Sequence, residues 1–276
     1  MYTSTHLHVN LVHVAALAAA AIAAQECWAQ IGIGLVPMRI EMTLGPGAIH
    51  AGSLAVTNEM AQPVRIRTEI LDVNLDETAT PQFAKLMASE AGNSCRDWLS
   101  VNPMESEIAA KRPVMVRYTF KVPPNVPPGS YHCAAGFTTL PSAEELSGTG
   151  LRSAVRMVAA FFAIVGNPAI VGQVSDIKLE RIDSAPNAKW QAVVVLKNSG
   201  RRYFRPIGDL IVLDDGGKLL TTIAFPPLPV FPEREQRFLF PLEAGHTSQP
   251  FTLRARVSLG TPEIQEAEAK VQGTPH

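Results

Sequence analysis

Three residues able to do chemistry stand out in this chain: His132 and Cys133, adjacent in "SYHCAAGF", and Cys95 in "GNSCRDW". A cysteine nucleophile needs a base within hydrogen-bond reach. Successive residues of a strand point to opposite faces, so His132 and Cys133 do not form such a pair. Beyond the leader, the other histidines are His50, His246 and His276, scattered without zinc spacing. "DVNLDE" (72–77) begins like a calcium loop, but Glu77 stands where the sharp-turn glycine belongs and Phe83 where the bidentate glutamate belongs. There is no G-x-S-x-G, no H-E-x-x-H and no phosphate loop. The reading is therefore of a chain with no catalytic set, no metal site and no cofactor. "RRYF" with Arg205 is a basic–aromatic cluster in a turn; it could hold an anionic partner, or its arginines could simply flank a strand.

The chain has 276 residues, with 24 basic against 25 acidic. That balance argues against a nucleic-acid binder and against an electrostatic membrane binder. "LVHVAALAAAAIAA" (11–24) is an uninterrupted apolar run, too short to span a bilayer comfortably, with small residues following near Ala29. Residues 1–29 read as a secretory signal peptide. The segment lacks Lys and Arg, so a buried N-terminal helix is the alternative. No second long apolar stretch exists, and a periplasmic or secreted protein that does not span the membrane is expected. Removal of the leader takes Cys27 with it and leaves Cys95 and Cys133. In an oxidising compartment this even pair reads as a disulfide closing a loop of about 39 residues; two separate buried thiols are the alternative.

The elements that must position these residues are strands. "GLVPMRIEMTL" (34–44) reads as one extended segment, ended by "GPG". "QPVRIRTEILDVNL" (62–75) alternates, with Val64, Ile66, Thr68 and Ile70 on one face and Arg65, Arg67 and Glu69 on the other. "QFAKLMASEA" (82–91) is expected to hold a helical turn with Phe83, Leu86 and Met87 on one side. "KRPVMVRYTFKVP" (111–123) returns to strand, and Pro123, Pro124, Pro127 and Pro128 force a corner before Gly129 re-enters the sheet. After "GNPAIVGQ" (166–173) the pattern repeats in 174–182, 189–200, 207–225, 234–242 and 251–259, with Asp215–Gly216 marking a hairpin. Asn58 and Asn198 fall at matching places in the two halves, each ending an apolar strand. The expected fold is all-β: two tandem immunoglobulin-like β-sandwich domains, 30–168 and 169–276, the second with a short C-terminal tail.

The first half, "LGPG…SLAVTN…QPVRIRTEILDV…WLSVNP…VMVRYTFKVP…PPGSYHCAAGF", resembles the extracytoplasmic immunoglobulin-like domains of the two-domain periplasmic pilus-assembly chaperones. It is also similar to the peptidoglycan-binding domains of WxL-associated cell-surface proteins. The resemblance implies a non-catalytic binding protein whose partner is a protein client, such as a pilin-like subunit or surface protein. The second likeness implies instead a structural envelope module that binds peptidoglycan or other surface proteins. In the chaperones an arginine of the first strand and a lysine of the last strand of domain one hold the client's C-terminal carboxylate. Arg39 matches the arginine; in the last strand the nearest basic residue is Arg156, upstream of the expected place, and no lysine stands there.

That last strand, "SAVRMVAAFFAIVGNP" (153–168), is apolar on both faces. Val155, Met157, Ala159, Phe161, Ala163 and Val165 form one, and Val158, Ala160, Phe162 and Ile164 the other. Such a strand is either buried in mid-sheet or an edge that offers its backbone and alternate side chains, Phe161 among them, to a partner.

Overall fold

The computed structural model describes residues 32–76, 78, 80–88, 92–141, 154–182, 189–243 and 249–273; the expected signal segment lies outside the described residues. The first half comprises β1 (Ile33–Val36), β2 (Arg39–Leu44), β3 (Ile49–Asn58), β4 (Val64–Leu75), β5 (Pro81–Ala84), β6 (Leu99–Asn102), β7 (Glu105–Ile108), β8 (Pro113–Lys121), β9 (Gly129–Leu140) and β10 (Arg156–Val165). The second comprises β11 (Gly172–Ile182), β12 (Lys189–Asn198), β13 (Ile207–Asp214), β14 (Leu219–Ala224), β15 (Arg234–Leu242), β16 (Phe251–Ser258) and β17 (Ile264–Val271). In the first sandwich, β1-β3-β8-β6 faces β2-β10-β9-β4, with β5 and β7 lying along the far side of β4. In the second, β11-β12-β15 faces β14-β13-β16-β17. The fold is the all-β pair of sandwiches that the alternation implies.

Each sandwich has its own core, filled by the inward residues of its facing sheets. Leu54, Val116, Phe120, Ile66, Phe137 and Phe161 meet in the first, and Val194, Leu210, Phe238, Phe240 and Leu253 in the second. Asn58 and Asn198 make the same bonds in the two halves. Each amide donates to the carbonyl four residues on (Gln62, Arg202) and to one across the sandwich (Ile108, Val230). Each side-chain oxygen then accepts the backbone N–H two residues on, from Met60 and from Gly200. A buried amide satisfied on both ends fixes the turn after the strand. Tyr131, two residues before Cys133, donates its hydroxyl back to the Pro127 carbonyl at 2.8 Å. That is the tyrosine corner of immunoglobulin sandwiches.

Three local expectations change, and one hairpin gains its detail. Residues 34–44 are not one strand: the chain switches sheets at Pro37, which has no N–H to continue a ladder, so β1 joins β3 while β2 runs parallel to β10. Pro81–Ala84 is a strand pairing with β4 rather than part of a helical turn, and Leu86 is exposed; sheet pairing overrides a short 3.6-residue pattern. The hairpin marked by Asp215–Gly216 is present between β13 and β14: Gly217 takes the left-handed region (φ 80°) and Asp214 accepts from the Lys218 N–H. The expected C-terminal tail carries β17, whose alternation is easily overlooked because its inward side is Gln265, Ala267, Ala269 and Val271.

Candidate functional site

Cys95 and Cys133 are bonded to each other, with Cα atoms 5.2 Å apart, and both are fully buried. Around them the segment before β6 is sewn to β9: the Cys95 N–H donates to the His132 carbonyl and the His132 N–H to the Asn93 carbonyl. Trp98 packs against Tyr131 with ring centroids 4.4 Å apart. Asp72, the first residue of the calcium-like stretch, is buried and accepts from the Met87 N–H at 2.8 Å and the Ser94 hydroxyl at 2.5 Å. Ser94 and His132 face each other across an isolated bridge, and Ser94 also reaches Asp72. The Ser94 hydroxyl donates its hydrogen bond to the Asp72 carboxylate, while the His132 ring stacks on Phe231 of the second sandwich at 4.0 Å. As strand parity requires, Cys133 faces the core and His132 the neighbouring sandwich. Among the described residues no group of three or more His, Cys, Asp and Glu could hold a metal ion.

β10 is the element on which the site turns, and its two apolar faces have separate causes. Ala159, Phe161, Ala163 and Val165 fill the first core, with Val155 and Met157 packed at its margin. Ala160, Phe162 and Ile164 face the other way, against Tyr203, Phe231 and Leu228 of the second sandwich. Neither simple alternative describes the strand. From Ala160 to Val165 it lies between β9 and β2. From Arg156 to Ala159 it pairs with β9 alone among the described strands. The Ala160 N–H donates to the Met38 carbonyl on the β2 side, so by strand alternation the N–H groups of Arg156 and Val158 point to that same side, which no described strand covers. Beside the opening, Met38 is 52% exposed and Val155 and Met157 are half-buried.

The three side chains singled out in the sequence do not converge. Phe161 is wholly buried, 5.0 Å from the Tyr118 ring centroid, and is out of reach of a ligand at the surface of the folded domain. Arg156 binds the Thr138 hydroxyl at 2.9 Å and the Glu69 carboxylate at 3.2 Å, which occupies its charge at the end of β10 remote from the linker. Arg39 lies opposite Ala160, where the open edge ends and β2 begins. It pairs with Glu41 at 3.5 Å. The same Glu41 oxygen accepts from Arg205 of the second sandwich at 3.2 Å. Arg205 is held in turn by the Pro227 carbonyl at 2.7 Å and lies 4.9 Å above the Phe162 ring. Arg205, noted in the sequence only as part of a turn cluster, therefore sits in the interdomain cleft. A signal for that placement was the pairing of arginine with Tyr203, an aromatic that needs a buried neighbour. Burial, and then the Glu41 carboxylate, push the Tyr203 hydroxyl up to about 12, so it stays a hydrogen-bond donor throughout the neutral range.

No protein-family model matches the chain and no curated protein matches it. Solved structures do. The class 5 fimbriae chaperone CfaA matches with a TM-score of 0.46 and 12% identity, over 89% of this chain and 100% of that one. The CsuC–CsuE chaperone–tip adhesion subunit pre-assembly complex of Acinetobacter baumannii gives 0.45 and 15%, over 86% and 97%. The SafA pilin–SafB chaperone complex of Salmonella enterica gives 0.42 and 13%, over 86% and 95%. Likenesses at this level cover most of each chain at low identity. Among the described residues no helix is long and apolar enough to cross a membrane.

Proposed function

We propose that the chain is a non-catalytic, extracytoplasmic chaperone-like protein that holds an extended segment of another protein by adding it as a strand to β10. Residues 1–29 serve as the export signal, 30–168 hold the client, and 169–276 brace the strand that does so. The observation that carries this reading is the open side of β10 at Arg156–Ala159, a strand with one side of its backbone unpaired by any described strand and apolar side chains at its margin. Such an edge gains main-chain hydrogen bonds from an added strand, while Val155, Met157 and Met38 offer apolar contact to alternate side chains. β2 already occupies the same side further along, parallel to β10. A client that continues this parallel line ends beside Arg39, C-terminus first, where a guanidinium favours its carboxylate. The client class proposed is a pilin-like subunit or surface protein, as the sequence resemblance implies.

Val158→Pro tests the reading. It removes a donor aimed at the open side and no ladder bond to β9, so the fold should survive. Capture of an alternating apolar peptide of about ten residues is expected to weaken by about tenfold or more, with circular dichroism unchanged. Equal capture by the variant, or no capture by the natural chain, contradicts the reading.

A further inference from the structure

Val193 and Val195 alternate with the core residues Val194 and Leu196, so they lie on the outer face of β12, yet both are buried. Val195 belongs to the lining of a cavity of about 540 Å³, together with Leu75 of the first sandwich and Phe231 of the second. Sites for small ligands run from about 300 to 1,000 Å³. The polar part of the lining comes from both sandwiches: Arg234 donates to the Asn74 side-chain oxygen at 2.7 Å. Ser175 enters it from a bulge in β11, where the register with β12 shifts between Val174 and Asp176. Bulges of this kind re-aim a side chain. One donor in the lining is unspent. The Arg237 Nε is buried and meets no acceptor, although the Nη2 of the same guanidinium pairs with Glu180. Buried donors are nearly always paired, so this one calls for an acceptor from outside the chain.

The charges of the lining decide what kind of molecule brings it. Lys178, Arg234 and Arg237 are matched by Asp76, Asp176 and Glu235. Much of this charge is already spent. Lys178 pairs with Asp176 at 3.7 Å and Glu180 at 3.1 Å, and Glu235 pairs with Lys197 at 3.7 Å. The Asp76 carboxylate accepts from Thr78, Thr80 and Gln82. An ion of either sign would therefore meet as many like charges as opposite ones. A neutral ligand avoids that conflict, and hydroxyl groups, which both donate and accept, suit a lining of mixed donors and acceptors. We propose that the cavity is a saccharide site that takes a neutral, disaccharide-sized stretch of glycan. A hydroxyl or acetamido oxygen accepts from the Arg237 Nε–H, ring hydroxyls meet Ser175 and Asn74, and the apolar face of a ring covers Leu75 and Val195. The site owes nothing to the open side of β10, so edge capture and saccharide binding stand or fall separately.

The test follows the Arg237 Nε–H resonance of the full chain by heteronuclear NMR during titration with diacetylchitobiose, with maltose and with inorganic phosphate. At least one of the two disaccharides is expected to shift that resonance and slow its exchange with solvent, and phosphate to leave it in place. Calorimetry then compares two variants. Arg237→Lys keeps a cation for Glu180 and loses the Nε–H, and should weaken disaccharide binding by about tenfold or more. Ser175→Leu, at an exposed position, narrows the cavity and should abolish binding. Thermal unfolding checks that each variant is folded, and if Arg237→Lys is not, Ser175→Leu decides alone. Two disaccharides that leave the resonance unmoved overturn the saccharide site. So does phosphate that shifts it as far as a disaccharide does, or a folded variant that binds as tightly as the natural chain.

Discussion

Phe161→Lys is expected to unfold the first sandwich. The ring is fully buried in the middle of β10, edge-on to Tyr118 and stacked at 6.5 Å on Phe120. Removing it costs about 3–5 kcal/mol of burial and packing, and the new ammonium has no counter-charge among the core residues around it. The sum reaches the whole stability of an ordinary domain, about 5–15 kcal/mol. Far-ultraviolet circular dichroism should lose the first sandwich's share of the β signal, while the second keeps its share because its core is separate. Phe161→Leu, which leaves only a small cavity, should cost about 1–2 kcal/mol and keep the fold. A natively folded Phe161→Lys variant with unchanged melting would mean that this side of β10 is not the core.

The second large effect is expected from the disulfide. Cys95 and Cys133 are 38 positions apart, so the bond restricts a long stretch of the unfolded chain. On the chain-entropy account this is worth about 4 kcal/mol at most. Its folded surroundings add to the loss, since the same segment carries Ser94 to Asp72 and Trp98 to Tyr131. The double substitution Cys95→Ala with Cys133→Ala should lower the first sandwich's unfolding midpoint in denaturant and leave the second sandwich's transition in place. Reductant should do the same to the natural chain and nothing to the variant. Two free thiols in non-reducing mass spectrometry, or an unshifted midpoint, would contradict it.

Much of this was legible in the sequence, for physical reasons that differ by residue. Val64 to Ile70 and Val116 to Phe120 alternate because one face of each strand meets a core, and period-two burial writes itself directly into residue type. Asn58 and Asn198 stood out because a polar residue ending an apolar strand needs a specific hydrogen-bonding reason. The split of 34–44 was hidden: both halves are extended, and only Pro37 hints that they belong to different sheets. β10 showed two apolar faces, but periodicity cannot say whether the second face meets another sheet, another domain or a ligand. Here it meets Tyr203 and Phe231, about 40 and 70 residues downstream. Arg156 looked available because its partner Glu69 lies on a strand far away in sequence. The cleft cluster was least legible of all, since Glu41 and Arg205 are brought together only by the packing of one sandwich on the other.

The central claim is that the open side of β10 receives a strand. Amide hydrogen exchange, read residue by residue with and without a saturating apolar peptide, tests it most directly. In the free chain the Arg156 and Val158 amides should exchange quickly, and the Ala159 amide, directed at β9, slowly. Added peptide should slow Arg156 and Val158 by about tenfold or more and leave Ala159 little changed. Protection that instead appears along β1 or β6, the edges of the facing sheet, with Arg156 and Val158 still exchanging freely, would contradict the account.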